Sequence, residues 1–467
     1  MSVFASFARA DRPVLLRKKR QVVSDGTQLL WGQLNVLLLM VRTVVPERTF
    51  YFLGELFLIS AVPWLIIGFT QKRIRIKAPI TFLLAAALQL WLFVCAADAD
   101  LTIGRSVKHF TDADTFLLFP MVAFLQVVGL CSMDRSQSRL IRSFFIAFVV
   151  LSALFALGQL AHIHRFIDLS RHYNQNKPID NWDGKGGVRT IGLANWPNHM
   201  AIYAATAAGM ASAPLLRRAL RYWEHIIVLL LLLVGVTSQS RTALPAVTLS
   251  AFAYVLLCIR RHPNRIAVII GSSFVAVATM VVVLAKKLAY LLASSKLDTS
   301  IQYRINYAWK QVFIILKQRP LTGLGAEPNL NGSFLQGGTY DRFVFNMNVD
   351  NGYLVTFGFG GYPGGMLFCT IILLATLSSL IVACSRNLSD AQREAGFVSF
   401  ICWVAIVFSL IANTVFMYTT ATGIVAMVSG LLAASFNELP TRAKLGEMFQ
   451  QMGVGMAPMF GDPTGSN

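Results

Sequence analysis

Asp350 ends a polar stretch, Asn346-Met347-Asn348-Val349, and is followed by Asn351-Gly352-Tyr353-Leu354 at the border of a long apolar run. A carboxylate at such a border is partly desolvated, which favours its protonated form and moves it toward the strength of a general base for a hydroxyl proton. Upstream, Arg189, Arg241 and Arg304 stand singly among apolar segments. A guanidinium keeps its charge in those surroundings, and its planar fork binds phosphate through two parallel hydrogen bonds. One acid and several fixed cations suit an anionic substrate carried by a lipid. The alternative for Asp350 is a helix N-cap, a role worth about 0.5–2 kcal/mol.

Polar neighbours accompany each arginine. Arg189 leads into Gly192-Leu193-Ala194-Asn195-Trp196-Pro197-Asn198-His199, where Asn195, Asn198 and His199 are spaced to share one helix face. Such side chains in a span either line a cavity or tie neighbouring helices together, and both readings stand. Arg241 lies in the tight connection Thr237-Ser238-Gln239-Ser240-Arg241-Thr242, where Ser240 and the amides of the next helix add donors for an anion. The other reading of Arg241 is a snorkelling side chain. Ile301, Ile305, Ala308, Trp309, Val312, Phe313 and Leu316 form a stripe at helical spacing, which predicts an amphipathic helix in the membrane interface, stopped by Pro320 and the glycines 323 and 325. Arg304 near its start either leans over a pocket or contacts lipid phosphate. Asn351 and Tyr353 complete the candidate binding set.

The elements that must position these groups are membrane spans. With 55% hydrophobic and 13% charged residues, the composition lies outside that of soluble domains. Apolar runs near 27–45, 50–70, 79–97, 115–133, 143–161, 192–215, 225–239, 242–259, 266–285, 351–384, 396–417 and 419–437 predict an all-α integral membrane protein with about twelve transmembrane helices. The run 351–384 is too long for one perpendicular crossing, and Gly358, Gly360, Gly361, Pro363, Gly364 and Gly365 crowd its first third. A short broken helix is expected before the full crossing.

Lys and Arg recur in alternate connections, which places both termini in the cytoplasm and the long loops 162–191 and 286–350 in the periplasm. Residues 1–26 form a basic cytoplasmic tail that does not read as a removable signal, 27–437 the membrane domain, and 438–467 a weakly ordered cytoplasmic tail. The net charge of +19 is mostly topological, so membrane lipids are expected partners and nucleic acid is not. All six cysteines lie in apolar runs and read as packing residues. His162, His164 and His172 crowd the first loop, but 162 and 164 do not share a helix face and no cysteine supports them, so no metal is expected. A transporter would show paired broken helices around midplane ionisable groups. Here one segment is broken and the spans are nearly free of acids apart from Glu55, which favours an enzyme working at one face.

Taken in order, Gly192 to Ala201, Ser240-Arg241-Thr242-Ala243, Tyr303-Arg304 to Trp309 with Pro320-Leu321-Thr322-Gly323-Leu324-Gly325, and Asp350 to Leu354 resemble the O-antigen ligases and the O-antigen or exopolysaccharide repeat-unit polymerases (the Wzy and WaaL type). The resemblance implies a GT-C-like glycosyltransferase of the bacterial inner membrane, with its large periplasmic loop and an active site facing the periplasm. It implies a glycan donor on undecaprenyl pyrophosphate, a lipid-linked glycan acceptor, and no metal, nucleotide sugar or other cofactor. It also leaves room for a partner that regulates chain length. Arg241 and Arg304 match arginines that such enzymes place on the pyrophosphate, and Arg189 matches more loosely. Ligases typically carry a histidine before the Asn-x-x-Leu element, where this chain has Asp350, and the loop 286–350 contains none. That departure favours a polymerase, with ligation to lipid A core as the alternative.

Overall fold

The computed structural model describes residues 12–44, 52–74, 79–103, 108–174, 190–194, 197–238, 240, 244–265, 306, 309–323, 351–411 and 419–436. Among them the chain forms α-helices joined by short turns, with no strand. In order these are α1 (Arg12–Val44), α2 (Phe52–Thr70), α3 (Ile80–Ile103), α4 (Lys108–Met133), α5 (Gln137–Leu160), α6 (His164–Asn174) and α7 (Pro197–Ser212). After the 3-10 turn Ala213–Leu216 follow α8 (Tyr222–Thr237), α9 (Leu244–Arg261), α10 (Lys310–Gln318), α11 (Gly352–Cys384), α12 (Asp390–Ile411) and α13 (Thr419–Phe436).

Each apolar run read as a span falls on one of these helices, except 266–285, which lies outside the described residues. Among the described residues six helices are long and apolar enough to cross a membrane, and three more are apolar but shorter. Large apolar side chains such as Ile59 (71% exposed) and Ile381 (65%) point outward, as a hydrocarbon surround allows and water does not favour. The protein is therefore a helical integral membrane protein. Helix α1 begins at Arg12, so the second half of the basic segment 1–26 is helical and continuous with the first span. Pro13 falls in its first turn, where proline is tolerated, and no other proline or glycine occurs before Gly26.

Helix α7 is the hub. It packs against α5, α8, α9 and α12, and nearly every one of its side chains is buried. Ala201, Ala204, Ala205, Ala207 and Ala208 give it a thin surface all round, which lets several helices approach at once. Helix α13 plays the same part on the other side, against α4, α12 and α1.

Two contacts set the register of α7 and α12. A methyl added at Gly209 would lie 3.4 Å from Ile401, and Arg217 beyond α7 pairs with Glu394 near the start of α12. The helices thus run antiparallel. Moving ten residues along each, about 15 Å, brings His199 level with Ile411. The end of the bundle holding these two residues is called the motif end below.

Helix α11 is interrupted as its glycines predict. Gly361 has φ 63° and ψ −165°, so a short arm from Gly352 precedes the long helix that runs to Cys384. At the opposite end of the bundle, the buried Glu394 joins three parts of the chain. Arg142 of α5 donates to one of its oxygens at 3.0 Å, and Arg217 forms an ion pair with the other at 2.8 Å. Removing the carboxylate leaves the half-buried Arg142 without its partner and next to a second cation, the exposed Arg217. Glu394→Ala is expected to lower stability by about 3–5 kcal/mol, read as an early unfolding transition of the detergent-purified protein; an unchanged midpoint would show that the bridge holds nothing.

Candidate active site at the motif end

Thr190 to Ala194 approach α7 as a non-helical strap held by α5. The Gln159 amide oxygen accepts from Ile191 N and Gly192 N, both at 3.0 Å, and its nitrogen donates to Gly192 O at 3.1 Å. Ser152 Oγ accepts from Leu193 N at 2.9 Å. Gly192 has φ 57°, and a Cβ there would run into Ser152, so glycine is required on both counts. Sequence reading missed Gln159 and Ser152. Their signal was faint: a lone amide and a lone hydroxyl in an otherwise apolar span, with partners 32 to 41 residues away.

The strap is also fastened to the end of α8. The Thr190 and Thr237 hydroxyls lie 3.0 Å apart, and Thr190 N donates to Thr237 O at 3.4 Å. One turn further on, the buried Ser240 donates its hydroxyl to Asn198 Oδ1 in the first turn of α7. Two of the motifs, Gly192–Ala201 and Ser240–Ala243, are therefore joined by a direct side-chain bond. His199 is wholly buried, its ring 6.4 Å from that of Tyr203 one turn deeper. Tyr203 in turn donates to Thr43 O of α1 at 2.6 Å, which draws that helix into the same end.

Asn351 and Tyr353 sit at the head of α11. Asn351 is the N-cap: its side chain accepts from Leu354 N at 3.0 Å. The residue after Asp350 in the chain thus supplies this cap. Asn351 Nδ2 also donates to Ile411 O at 3.1 Å, and Tyr353 OH to Val407 O at 3.2 Å. Since Ile411 is level with His199, the head of α11 lies at the same depth as Asn198 and Ser240.

Of the candidate residues, Asn198, His199, Ser240, Asn351 and Tyr353 gather at the motif end. Arg189, Asn195, Arg241, Arg304 and Asp350 lie outside the described residues. In the chain, Arg189 adjoins Thr190, Arg241 adjoins Ser240 and Asp350 adjoins Asn351. Of the amphipathic helix expected over 301–316, residues 310–316 lie on α10, which packs on α11 with Val312 and Leu316 buried and Phe313 turned outward, while 301–305, 307 and 308 lie outside the described residues.

The fold is that of a helical membrane protein whose motif end joins polar side chains of α7, of α11 and of the segment after α8. Residues 226–369 match the family described as Wzy_C, O-Antigen ligase. The match includes Ser240, Arg241, Arg304, Asp350, Asn351 and Tyr353, and it supports the resemblance to O-antigen ligases and polymerases that the motifs carry. The family points to a glycosyltransferase-type enzyme acting on lipid-linked glycans. No curated protein matches the chain.

The strap's dependence on one amide is testable. Gln159→Leu removes the acceptor of two buried N–H groups, each costing about 1–3 kcal/mol when unsatisfied. Hydrogen exchange across Thr190–Ala194 should accelerate while α12 stays protected. Unchanged exchange in that segment would refute the clamp.

Proposed function

We propose that the chain is an inverting glycosyltransferase that moves a glycan from undecaprenyl pyrophosphate to a sugar hydroxyl on the periplasmic face of the inner membrane. The observation that carries this reading is the Ser240–Asn198 bond. It joins two motifs that adjoin Arg189 and Arg241, at the level where the head of α11 follows Asp350. The spans number about twelve, in a GT-C-like arrangement with both termini in the cytoplasm, and the motif end faces the periplasm. The site residues keep the roles that the motifs imply.

The acceptor hydroxyl oxygen attacks the anomeric carbon, and the carbon–oxygen bond to the pyrophosphate breaks on the opposite face. Undecaprenyl pyrophosphate leaves with the bonding electrons, while Asp350 takes the hydroxyl proton. Arg189, Arg241 and Arg304 hold the diphosphate as charge grows on the leaving oxygen, and Ser240, Asn195, Asn198 and His199 line the approach. Asn351 and Tyr353 fix the head of the helix that follows the base. No cofactor, nucleotide sugar or metal enters the transfer. The polyprenyl tail rests between helices, open to lipid.

Polymerisation of repeat units is the preferred reaction because Asp350 stands where ligases typically place a histidine. Ligation to lipid A core is the second reading, favoured by the description of the matching family. Purified protein supplied with undecaprenyl-pyrophosphate-linked repeat units separates the two on a gel. A ladder marks a polymerase, transfer confined to core lipid marks a ligase, and vesicle translocation without new linkages marks a carrier and overturns the proposal. A partner that sets chain length would shift the ladder's distribution and leave the linkage unchanged.

Arg241→Ala should slow transfer by about 100- to 1000-fold, the loss seen when one donor to a developing oxyanion is removed. Asp350→Asn should abolish the product. Wild-type turnover in both inserted, folded variants would dismiss these two assignments.

A further inference from the structure

The break in α11 is locked by two other parts of the chain. The turn Pro320–Gly323 after α10 lies directly on it. Tyr362 N donates to Pro320 O at 2.8 Å. Gly323 and Gly361, with φ 57° and 63°, face each other. A Cβ on Gly323 would strike the backbone of Gly358, Phe359 and Gly361, and one on Gly361 would strike that of Pro320 and Leu321. Two backbones meet here with no room for a side chain on either, so the turn and the break fit in one arrangement only.

Helix α3 supplies the third part. The Trp91 indole lies over Gly360 and Gly364, and its Nε1 donates to Gly360 O at 2.8 Å, at the break itself. Two turns along the same face of α3, Asp98 forms an ion pair with Arg319, the residue that leads into the Pro320 turn. One face of α3 thus holds both the break and the turn that sits on it. The first arm of α11 is fixed at both ends, on Trp91 and the turn at Gly360–Gly361 and on α12 through Asn351 and Tyr353.

We infer that Trp91, Asp98 and Arg319 are positioning residues for the transfer. They fix the angle of the arm that carries Asp350 at its head against α10, which continues from the segment that carries Arg304. The junction thereby sets where Asn351, which follows Asp350 in the chain, stands relative to α10, which follows the segment of Arg304. This inference rests on the proposed function for the roles of Asp350 and Arg304. The junction itself stands on the contacts above.

The test uses the full-length detergent-purified protein, with lipid-linked glycan extracted from membranes of the host that makes it. The variants are Trp91→Phe, which keeps the ring and removes the N–H; Asp98→Asn; Arg319→Gln; Arg319→Lys, which keeps the charge; and the swap Asp98→Arg with Arg319→Asp. Asp98→Asn, Arg319→Gln and Trp91→Phe should each lower kcat by about 10- to 100-fold, the scale set by misplacing a reacting group by about 1 Å. The KM for the donor should stay within about twofold. Arg319→Lys should recover part of kcat, and the swap most of it. Amide exchange over Gly352–Phe359 should quicken at least tenfold in the three damaging variants, with no dependence on substrate.

Wild-type kcat in folded Trp91→Phe and Asp98→Asn, a rise in KM alone, or unchanged exchange over the arm would each overturn the inference. Asp350→Asn serves as the separating control. If it is inactive while the junction variants turn over normally, only the positioning role fails; if it is fully active, the base role of Asp350 and the positioning that rests on it fail; if the wild-type protein transfers no glycan, the proposed function fails, and the exchange measurement still decides whether the junction holds the arm.

Discussion

A backbone that leaves the helical conformation inside or beside a bilayer has no water to satisfy its freed amides and carbonyls, so each such place must be met by a specific partner. This constraint shapes every irregular feature of the described bundle. The strap before α7 is answered by Gln159 and Ser152, the head of α11 by its own Asn351, and the break at Gly361 by Trp91 and the Pro320 carbonyl. Three glycines with positive φ, at 192, 323 and 361, stand where backbone approaches another group too closely for a side chain. All three fall within or beside the motifs that carry the candidate chemistry.

Opposite the motif end, charge does the joining, with Glu394 buried between Arg142 and Arg217 and Gln28 accepting from Arg73 at 2.7 Å. Nearby, the Asp134 carboxyl is held below its ordinary range, chiefly by the Ser136 hydroxyl and then by Gln137, and so stays ionised in the turn between α4 and α5. Such pairs are geometrically exacting and lose heavily when one partner is removed. They suit a part of the molecule that is not required to change during a reaction.

The spans were largely legible in the sequence, because crossing a bilayer requires an apolar run and that is a local property of composition. So was the break in α11, since a cluster of glycines with Pro363 allows little else. The end of α10 at Pro320 followed for the same reason. Helix α6 and the helical start of α1 at Arg12 were not read, because both are polar segments whose helicity does not show as an apolar run. The clamp by Gln159, the Tyr203–Thr43 link and the α3 junction were not legible either. Each joins residues far apart in the chain, and one sequence gives no indication of which lone polar residue meets which. Asn198, Ser240 and Asn351 were found because each lies beside an unusual charge or a helix boundary.

At the motif end the hydrogen bonds that join α5, α7, α8, α11 and α12 run through neutral groups: Gln159 to the strap, Thr190 to Thr237, Ser240 to Asn198, Asn351 to Ile411 and Tyr353 to Val407. The cap of α11 is neutral as well, since Asn351 accepts from Leu354 N. Acids and guanidinium groups are costly beside apolar spans. The cost is rational if the charges meet a substrate whose own charge is large and changes during the reaction, which is the property of a pyrophosphate leaving an anomeric carbon.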